Sequence, residues 1–413
     1  MRNNVTLKHV GGAMVAALHV WFTLGAARAL AAEIEDPSTA SAAAVLRTEL
    51  RGPNYEIENA VRSDGFLYIF SLNTTYGRYQ VEGRDMLKLR LRELGAVATL
   101  EKMNKSQAYL DAAAKAAMKP AKLAEGLVTN PIGTVEQSMS GVGALFSRIG
   151  SAATNRGHDR DSVADSTLGV SSARRQIAHK LGVDPYTDFK PLADALEDMA
   201  QVTALGDLTV SGAFMAIPGG AGMAVSYGKT GQEVEQMVLD KTPSELRDTN
   251  RAKLIAMDVP DPAINAFLDN AFYTPMDHTF IVSALAKMNG VANRGVFVIR
   301  ASQAGSRDLA VFIRHRAEML ADYHHRVEPF ADFVEVRGVP LNRTRAGKVV
   351  AIVPFDQLVW TKQASDLVSV IDQDIRQRQL GTSIDLRIAG TATALAREGL
   401  RERGWNVVEN ISP

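Results

Sequence analysis

Apolar and polar positions repeat with three different periods along this chain. Between Asn54 and Val81 the period is short. Tyr55, Ile57 and Val61 fall at odd spacing, as on one face of a strand, and Ser63-Asp64-Gly65 carries the Asp-Gly step that favours a tight hairpin turn. Residues 66–72 are apolar on both faces, as in the middle strand of a covered sheet, and residues 76–81 complete a three-stranded meander. From Arg84 to Asn104 the stripe Leu87, Leu91, Leu94, Ala98 has helical spacing. Leu87, Leu89 and Leu91 also alternate with Lys88, Arg90 and Arg92, so a strand fits the first half, and the Lys/Arg row reads as a solvated face.

Residues 105–295 read as helices, on the strength of their caps. Asn130-Pro131, Asp184-Pro185, Thr242-Pro243, Asp261-Pro262 and Thr274-Pro275 each place a capping side chain before a proline suited to the first helical position. Thr242 with Glu245 forms a capping box, and Thr274 with Asp277 an imperfect one. Gly290 closes the helix that Thr274 opens, whose apolar side carries Phe280, Ile281, Ala284, Leu285 and Met288. Residues 154–169 are poor in apolar positions and read as an exposed loop. The most apolar run after the N-terminus, residues 205–227, is split by Pro218-Gly219-Gly220 into arms of about ten residues, where a bilayer span needs roughly 20. Its Gly, Ala and Ser content suits two buried helices in close contact, with a membrane-inserting hairpin as the alternative.

From Val296 the pattern alternates again. Residues 296–299, 333–337, 348–354, 357–360, 384–388 and 405–408 read as strands; residues 306–327, 365–377 and 391–403 read as helices. Pro340 and Gly347 mark turns. The closing unit, strand–Gly390–helix–Gly404–strand, places its two strands parallel in one sheet. The fold class is therefore α+β: a small antiparallel meander with its helix (46–104), a helical middle (105–295) and a C-terminal α/β domain (296–413).

The first residues change the picture. Arg2 and Lys8 precede an uncharged apolar core from Val10 to Ala27, and Ala29-Leu30-Ala31 is a small-x-small cleavage triplet, with Ala27-Arg28-Ala29 as the alternative. Residues 1–31 thus read as a signal peptide and residues 32–45, rich in Ala, Ser, Thr and Glu, as a disordered leader. An exported protein of the periplasm or cell envelope follows. Net charge is +0 for the whole chain, and loss of Arg2, Lys8 and Arg28 leaves −3, which argues against nucleic acid as a partner. The partner expected is a membrane surface or another envelope protein, met peripherally. Absence of cysteine excludes a disulfide scaffold, a thiolate metal site and a Cys nucleophile.

Candidate chemistry is thin. Gly228-Lys229-Thr230 lacks the phosphate-loop spacing, since the first Gly would fall on Met223. On the helix 306–327, His315, Glu318, Asp322 and His325 fall within a sector of about 80°, at offsets from which imidazole and carboxylate can hold a divalent metal or act as acid and base. The same row fits a solvated helix face, with Arg314, Arg316 and Arg326 as partners for the acids. Asp277-His278 is a weaker acid–base candidate, explained equally by the helix dipole, and Asp356 near Trp360 a weaker pocket candidate. No Gly-x-Ser-x-Gly elbow and no His-Glu-x-x-His occurs, and no cofactor is implied. Segments 63–66 (Ser-Asp-Gly-Phe), 181–186 (Leu-Gly-Val-Asp-Pro-Tyr) and 404–407 (Gly-Trp-Asn-Val) resemble an uncharacterised family of secreted bacterial proteins, from which no site residue follows. The reading that remains is an exported binding or structural protein. Its alternatives are a metal-dependent or acid–base hydrolase on helix 306–327 and a membrane-inserting protein through residues 205–227.

Overall fold

The short-period stretch after Asn54 is an antiparallel sheet in the computed structural model, which describes residues 34–46, 48–118, 169–206, 208–211 and 229–411. In chain order come β1 (Ala40–Ser41), the single turn α1 (Ala42–Val45), β2 (Arg51–Gly52), β3 (Tyr55–Ile57), β4 (Ala60–Ser63), β5 (Tyr68–Thr74) and β6 (Gly77–Glu82). β5 is central. β6 pairs along one edge, while β3 and β4 share the other, with Ile57 opposite Leu72 and Arg62 opposite Ile69. Tyr68, Phe70 and Leu72 are buried, but Ile69 and Ser71 are only half covered, so β5 is not enclosed on both faces as its composition suggests. The Asp64-Gly65 turn forms as expected, with Asp64 Oδ1 accepting from Phe66 N at 2.8 Å and Leu67 N at 2.7 Å. The expected leader is not disordered over its described part, residues 34–45. Ala40 pairs with Val61, and Glu35 exchanges hydrogen bonds with the Trp360 backbone, because the extended segment satisfies a strand edge.

The helices are α2 (Arg84–Asn104), α3 (Gln107–Met118), α4 (Val170–Leu181), α5 (Lys190–Leu205), α6 (Lys229–Asp240), α7 (Pro243–Ile255), α8 (Asp261–Leu268), α9 (Pro275–Lys287), α10 (Gly295–Ala301) and α11 (Arg307–Arg326). α2 is helical throughout. Its buried positions Met86, Leu87, Arg90, Glu93, Leu94 and Val97 recur every three or four residues, so Arg90 leaves the solvated row and enters the core. Both capping boxes are complete: Thr242 Oγ1 accepts from Glu245 N and Thr274 Oγ1 from Asp277 N, each carboxylate returning to its cap. Asp184-Pro185 opens a turn instead of a helix, with Asp184 Oδ1 accepting from Tyr186 N at 2.8 Å. The segment 296–299 is the helix α10, not a strand. Phe297, Val298 and Ala301 are its buried set, and a short apolar run does not by itself separate the two periods. α9 is buried from Met276 to Leu285 on every side, flanked by α6, α7 and α11. The Asn130-Pro131 cap, the loop 154–168, the signal-peptide segment and residues 207 and 212–227 of the apolar run lie outside the described residues.

The C-terminal part contains β7 (Phe330–Val336), β8 (Val339–Thr344), β9 (Val349–Val353), β10 (Gln357–Leu358), α12 (Lys362–Gln377), β11 (Ile384–Ile388), β12 (Thr391–Ala392), α13 (Ala394–Glu402) and β13 (Trp405–Val408). Its main sheet has the order β13-β11-β9-β8-β7, with β13, β11 and β9 parallel and β8 and β7 antiparallel. The parallel closing unit is as expected. β8, by contrast, occupies the stretch read as a turn at Pro340. The ladder to β9 involves Asn342 and Arg343 only, so no β9 partner is denied a donor at Pro340. The turn is Arg337-Gly338, both left-handed, as a two-residue hairpin requires. Every residue of β9 is buried: Val350 and Ile352 pack with α10 and α11, and Val349, Ala351 and Val353 with α12 and α13. The described chain from Ile34 onward is one compact unit.

Asn342 of β8 is 0% exposed, and neither its Nδ2 nor its Oδ1 has a hydrogen-bond partner among the described residues. Its ladder neighbours are Phe333 and Val350, both apolar. Asn342→Leu, close in shape, is expected to raise stability by about 1–3 kcal/mol in urea unfolding, since no bond is lost and two desolvated groups vanish. A loss of stability would mean that the amide has partners.

Candidate functional site

Helix α11 carries the row predicted from the sequence, and tertiary contacts distribute its members separately. His315 Nδ1 meets Asp85 Oδ2 of α2, so the imidazole is held between two helices. Burial pushes Asp85 up, but the His315 bond and charge outweigh it and bring the carboxyl down to about 2. Burial pushes His315 the other way, and the Asp85 contact more than compensates, leaving the imidazole above its ordinary value. Glu318 accepts from Arg314 Nε at 3.2 Å, Asp322 pairs with Arg326 Nε at 2.8 Å, and His325 is exposed. Arg316 does not serve the acids. It faces the sheet and donates from Nε to Ile352 O at 2.8 Å and from Nη2 to Pro340 O, burial and the nearby Arg300 lowering it to about 10. The four row residues do not converge, and among the described residues no group of three His, Asp or Glu side chains could hold a metal ion.

Asp277 and His278 are adjacent in sequence but serve different neighbours. Asp277, 0% exposed, accepts from Thr274 N at 2.9 Å, from Arg307 Nη1 and from Arg314 Nη1 at 3.1 Å. Burial alone would raise its pKa, and the two guanidinium groups hold it far below the usual range instead. Thr274 Oγ1 also donates to Asp184 Oδ2, and burial beside the Asp277 charge pushes Asp184 up to about 6. The charges continue outward. Arg307 Nε reaches Asp188 at 3.1 Å, Asp188 takes Arg90 Nη2 at 2.6 Å, and Arg90 donates to Glu93 at 2.7 Å. One alternating chain of charge thus joins α2, the 184–189 turn, the start of α9 and α11.

Asp356 marks a second junction. It follows the carboxyl end of β9, where open α/β sheets usually receive ligands. Here the N-terminal sheet occupies the place: Tyr68 N donates to Asp356 Oδ2 at 3.0 Å, Arg84 Nε to Oδ1 at 3.1 Å, and Asp356 N to Phe66 O at 2.9 Å. The Asp356 carboxylate is thus occupied by the chain's own donors, and Trp360 is a core residue against Gly399 and Leu400. Burial, helped by the Asp85 charge, outweighs the donors and pushes Asp356 up to about 6. An unfolded Asp titrates near 3.9, so between about pH 4 and 6 the folded chain holds a proton that the unfolded chain lacks. The corresponding stability is complete below pH 4 and is lost as pH rises through 6. The stability of the parent minus that of Asp356→Asn is expected to fall by about 2–3 kcal/mol between pH 4 and 8, read by urea titration. A flat difference would return Asp356 to the ordinary range.

A cleft of about 270 Å³ opens between the first turns of α7 and the α8–α9 connection, just under the roughly 300–1,000 Å³ usual for small-molecule sites. Pro243, Leu268, Ala271, Tyr273 and Pro275 supply its apolar wall. On the rim, Arg247 pairs with Asp269 and also donates to Leu268 O at 2.6 Å. His278 lines it as well, its ring clustered with those of Phe267 and Tyr273, with Nε2 2.8 Å from Phe267 O. A carbonyl only accepts, so the neutral ring carries its hydrogen on Nε2. Asn250, 1% exposed, contributes to the floor, and its Oδ1 has no hydrogen-bond partner among the described residues. The sequence-level reading missed Asn250, although it interrupts the buried stripe Leu246–Leu254 of α7 with an amide, which is a legible anomaly.

No family model matches this chain, and neither a curated protein nor a solved structure matches it. Among the described residues, no helix is long and apolar enough to cross a membrane.

Proposed function

We propose that the protein is an exported, envelope-associated binding protein whose ligand enters the cleft between α7 and the α8–α9 connection. One observation carries the binding role: a cleft of about 270 Å³ with an apolar wall, lined also by the polar side chains of Ser244, Arg247, Asn250 and His278. The metal-dependent or acid–base reading of α11 has less support, because its His and acids are engaged singly with Asp85, Arg314 and Arg326. Export rests on the N-terminal charge, apolar core and Ala29-Leu30-Ala31 triplet.

Purification of the untagged protein from an osmotic-shock fraction tests both parts. The expected N-terminus is Ala32, or Leu30 if the earlier triplet is cleaved. Native mass spectrometry is expected to show a small-molecule adduct that Ala271→Trp, a bulky change at an exposed rim position, removes without lowering the melting temperature. An uncleaved cytoplasmic chain would sink export. An adduct indifferent to Ala271→Trp would sink the cleft.

A further inference from the structure

We infer that the cleft binds an apolar α-amino acid as its zwitterion, with Arg247 receiving the carboxylate and Asp269 the ammonium; this rests on the binding reading above. Both side chains line the cleft and are open to a ligand, that of Arg247 being 40% exposed and that of Asp269 64%. They are also in contact, with Arg247 Nη2 donating to Asp269 Oδ1. A cation and an anion thus stand side by side at the mouth of an apolar-walled cavity. A ligand with one net charge is drawn to one of them and repelled by the other. A ligand with both charges on one carbon closes a ring of alternating sign, in which each charge has opposite neighbours. Loosening the existing pair costs little, since an exposed ion pair is worth about 0–1 kcal/mol.

The helices reinforce this polarity. The amino end of α7 and the carboxyl end of α8 meet at the cleft, Pro243 and Ser244 lining it from the one, Leu268 and the C-cap Asp269 from the other. The first end carries partial positive charge and the second partial negative charge. Ser244 is exposed and precedes Arg247 by three residues, so both lie on one face of α7, where the hydroxyl can donate to the same carboxylate. Arg247 Nη1 donates to Leu268 O at 2.6 Å, which fixes the guanidinium on the α8 side while its other N–H groups serve the ligand. The ligand's side chain then lies against Ala271 and Pro275, the least covered parts of the apolar wall. A volume of about 270 Å³, just below the range for drug-sized molecules, suits a ligand as small as an amino acid.

The two charges can be removed from the ligand one at a time. L-Leucine, N-acetyl-L-leucine and L-leucinamide share a side chain, but the second lacks the ammonium and the third the carboxylate; L-phenylalanine and its two derivatives form a parallel series. Each is titrated calorimetrically into the full mature chain at about pH 6, where an α-amino group is charged. In at least one series the free amino acid is expected to bind at least about tenfold more tightly than either derivative, the worth of one charged hydrogen bond. Arg247→Met is expected to weaken the amino acid about tenfold without weakening the amide, and Asp269→Asn to do so without weakening the N-acetyl form. Equal affinities within both series, or no binding of either amino acid at millimolar concentration, would overturn the zwitterion assignment; an adduct removed by Ala271→Trp would still hold the cleft. Parent-like binding of the amino acid to the Ala271→Trp chain would overturn the cleft as well. The comparison within the parent chain stands even if Arg247→Met or Asp269→Asn fails to fold.

Discussion

Asp277→Ala is expected to lower the stability to urea by about 3–5 kcal/mol, the range for breaking a buried ion pair from one side. The carboxylate meets Arg307 and Arg314 together, and both guanidinium groups are largely buried. Its removal leaves Arg307 with Asp188 and Arg314 with Glu318, which places the loss toward the lower end. To that is added the capping box on Thr274, worth about 1 kcal/mol. Domains of ordinary stability hold about 5–15 kcal/mol in all, so the variant should be marginal at 37 °C. Pairing Asp277→Leu with Arg314→Leu should recover part of the loss, because an apolar pair leaves no bare charge. A drop under about 1 kcal/mol for Asp277→Ala would show that the charge chain is incidental to the fold.

Gly390→Ala should be nearly as damaging, for a steric reason. A Cβ there would lie 1.8 Å from Asp356 O and 2.9 Å from Phe355 O, both fixed backbone atoms. Gly390 N donates to Phe355 O at 2.8 Å, and β10 and β12 pair beside it, so neither side can withdraw cheaply. Displacing this loop also displaces the Asp356 carboxylate from Tyr68 N and Arg84, which loosens the N-terminal sheet. The expected cost is about 3 kcal/mol or more, the upper end for overpacking. Gly305→Ala is the control, since nothing lies within 4 Å of its Cβ and its φ is not left-handed; it should be neutral or gain up to about 1 kcal/mol. Matching melts for the two variants would contradict the close approach at Gly390.

Elements announced by a local signal were legible. Thr242-Pro243 and Thr274-Pro275 name their helices because the cap, the proline and the acid three residues on act within one turn. Asp64-Gly65 names its turn for the same reason. Where the deciding neighbour is distant, the pattern misleads. Residues 296–299 look like a strand until α10 is seen with Phe297 and Val298 buried, and Pro340 looks like a turn until the Arg337-Gly338 hairpin assigns it to β8. The α11 row is a true feature of the helix, yet its chemistry is set by Asp85, 230 positions away. Asn250 is visible as a polar interruption of an apolar stripe, but the direction of its amide depends on Thr279 and Pro275.

By itself the sequence determined the α+β class, the helix starts at Thr242 and Thr274 and the parallel closing unit, since periodicity and capping operate over a few residues. Only the tertiary structure decided which charges are buried together, that Asp356 anchors the first sheet at the carboxyl end of β9, and that a cleft opens between α7 and the α8–α9 connection. Coulombic pairing and desolvation depend on distance in space, and separation along the chain does not encode it.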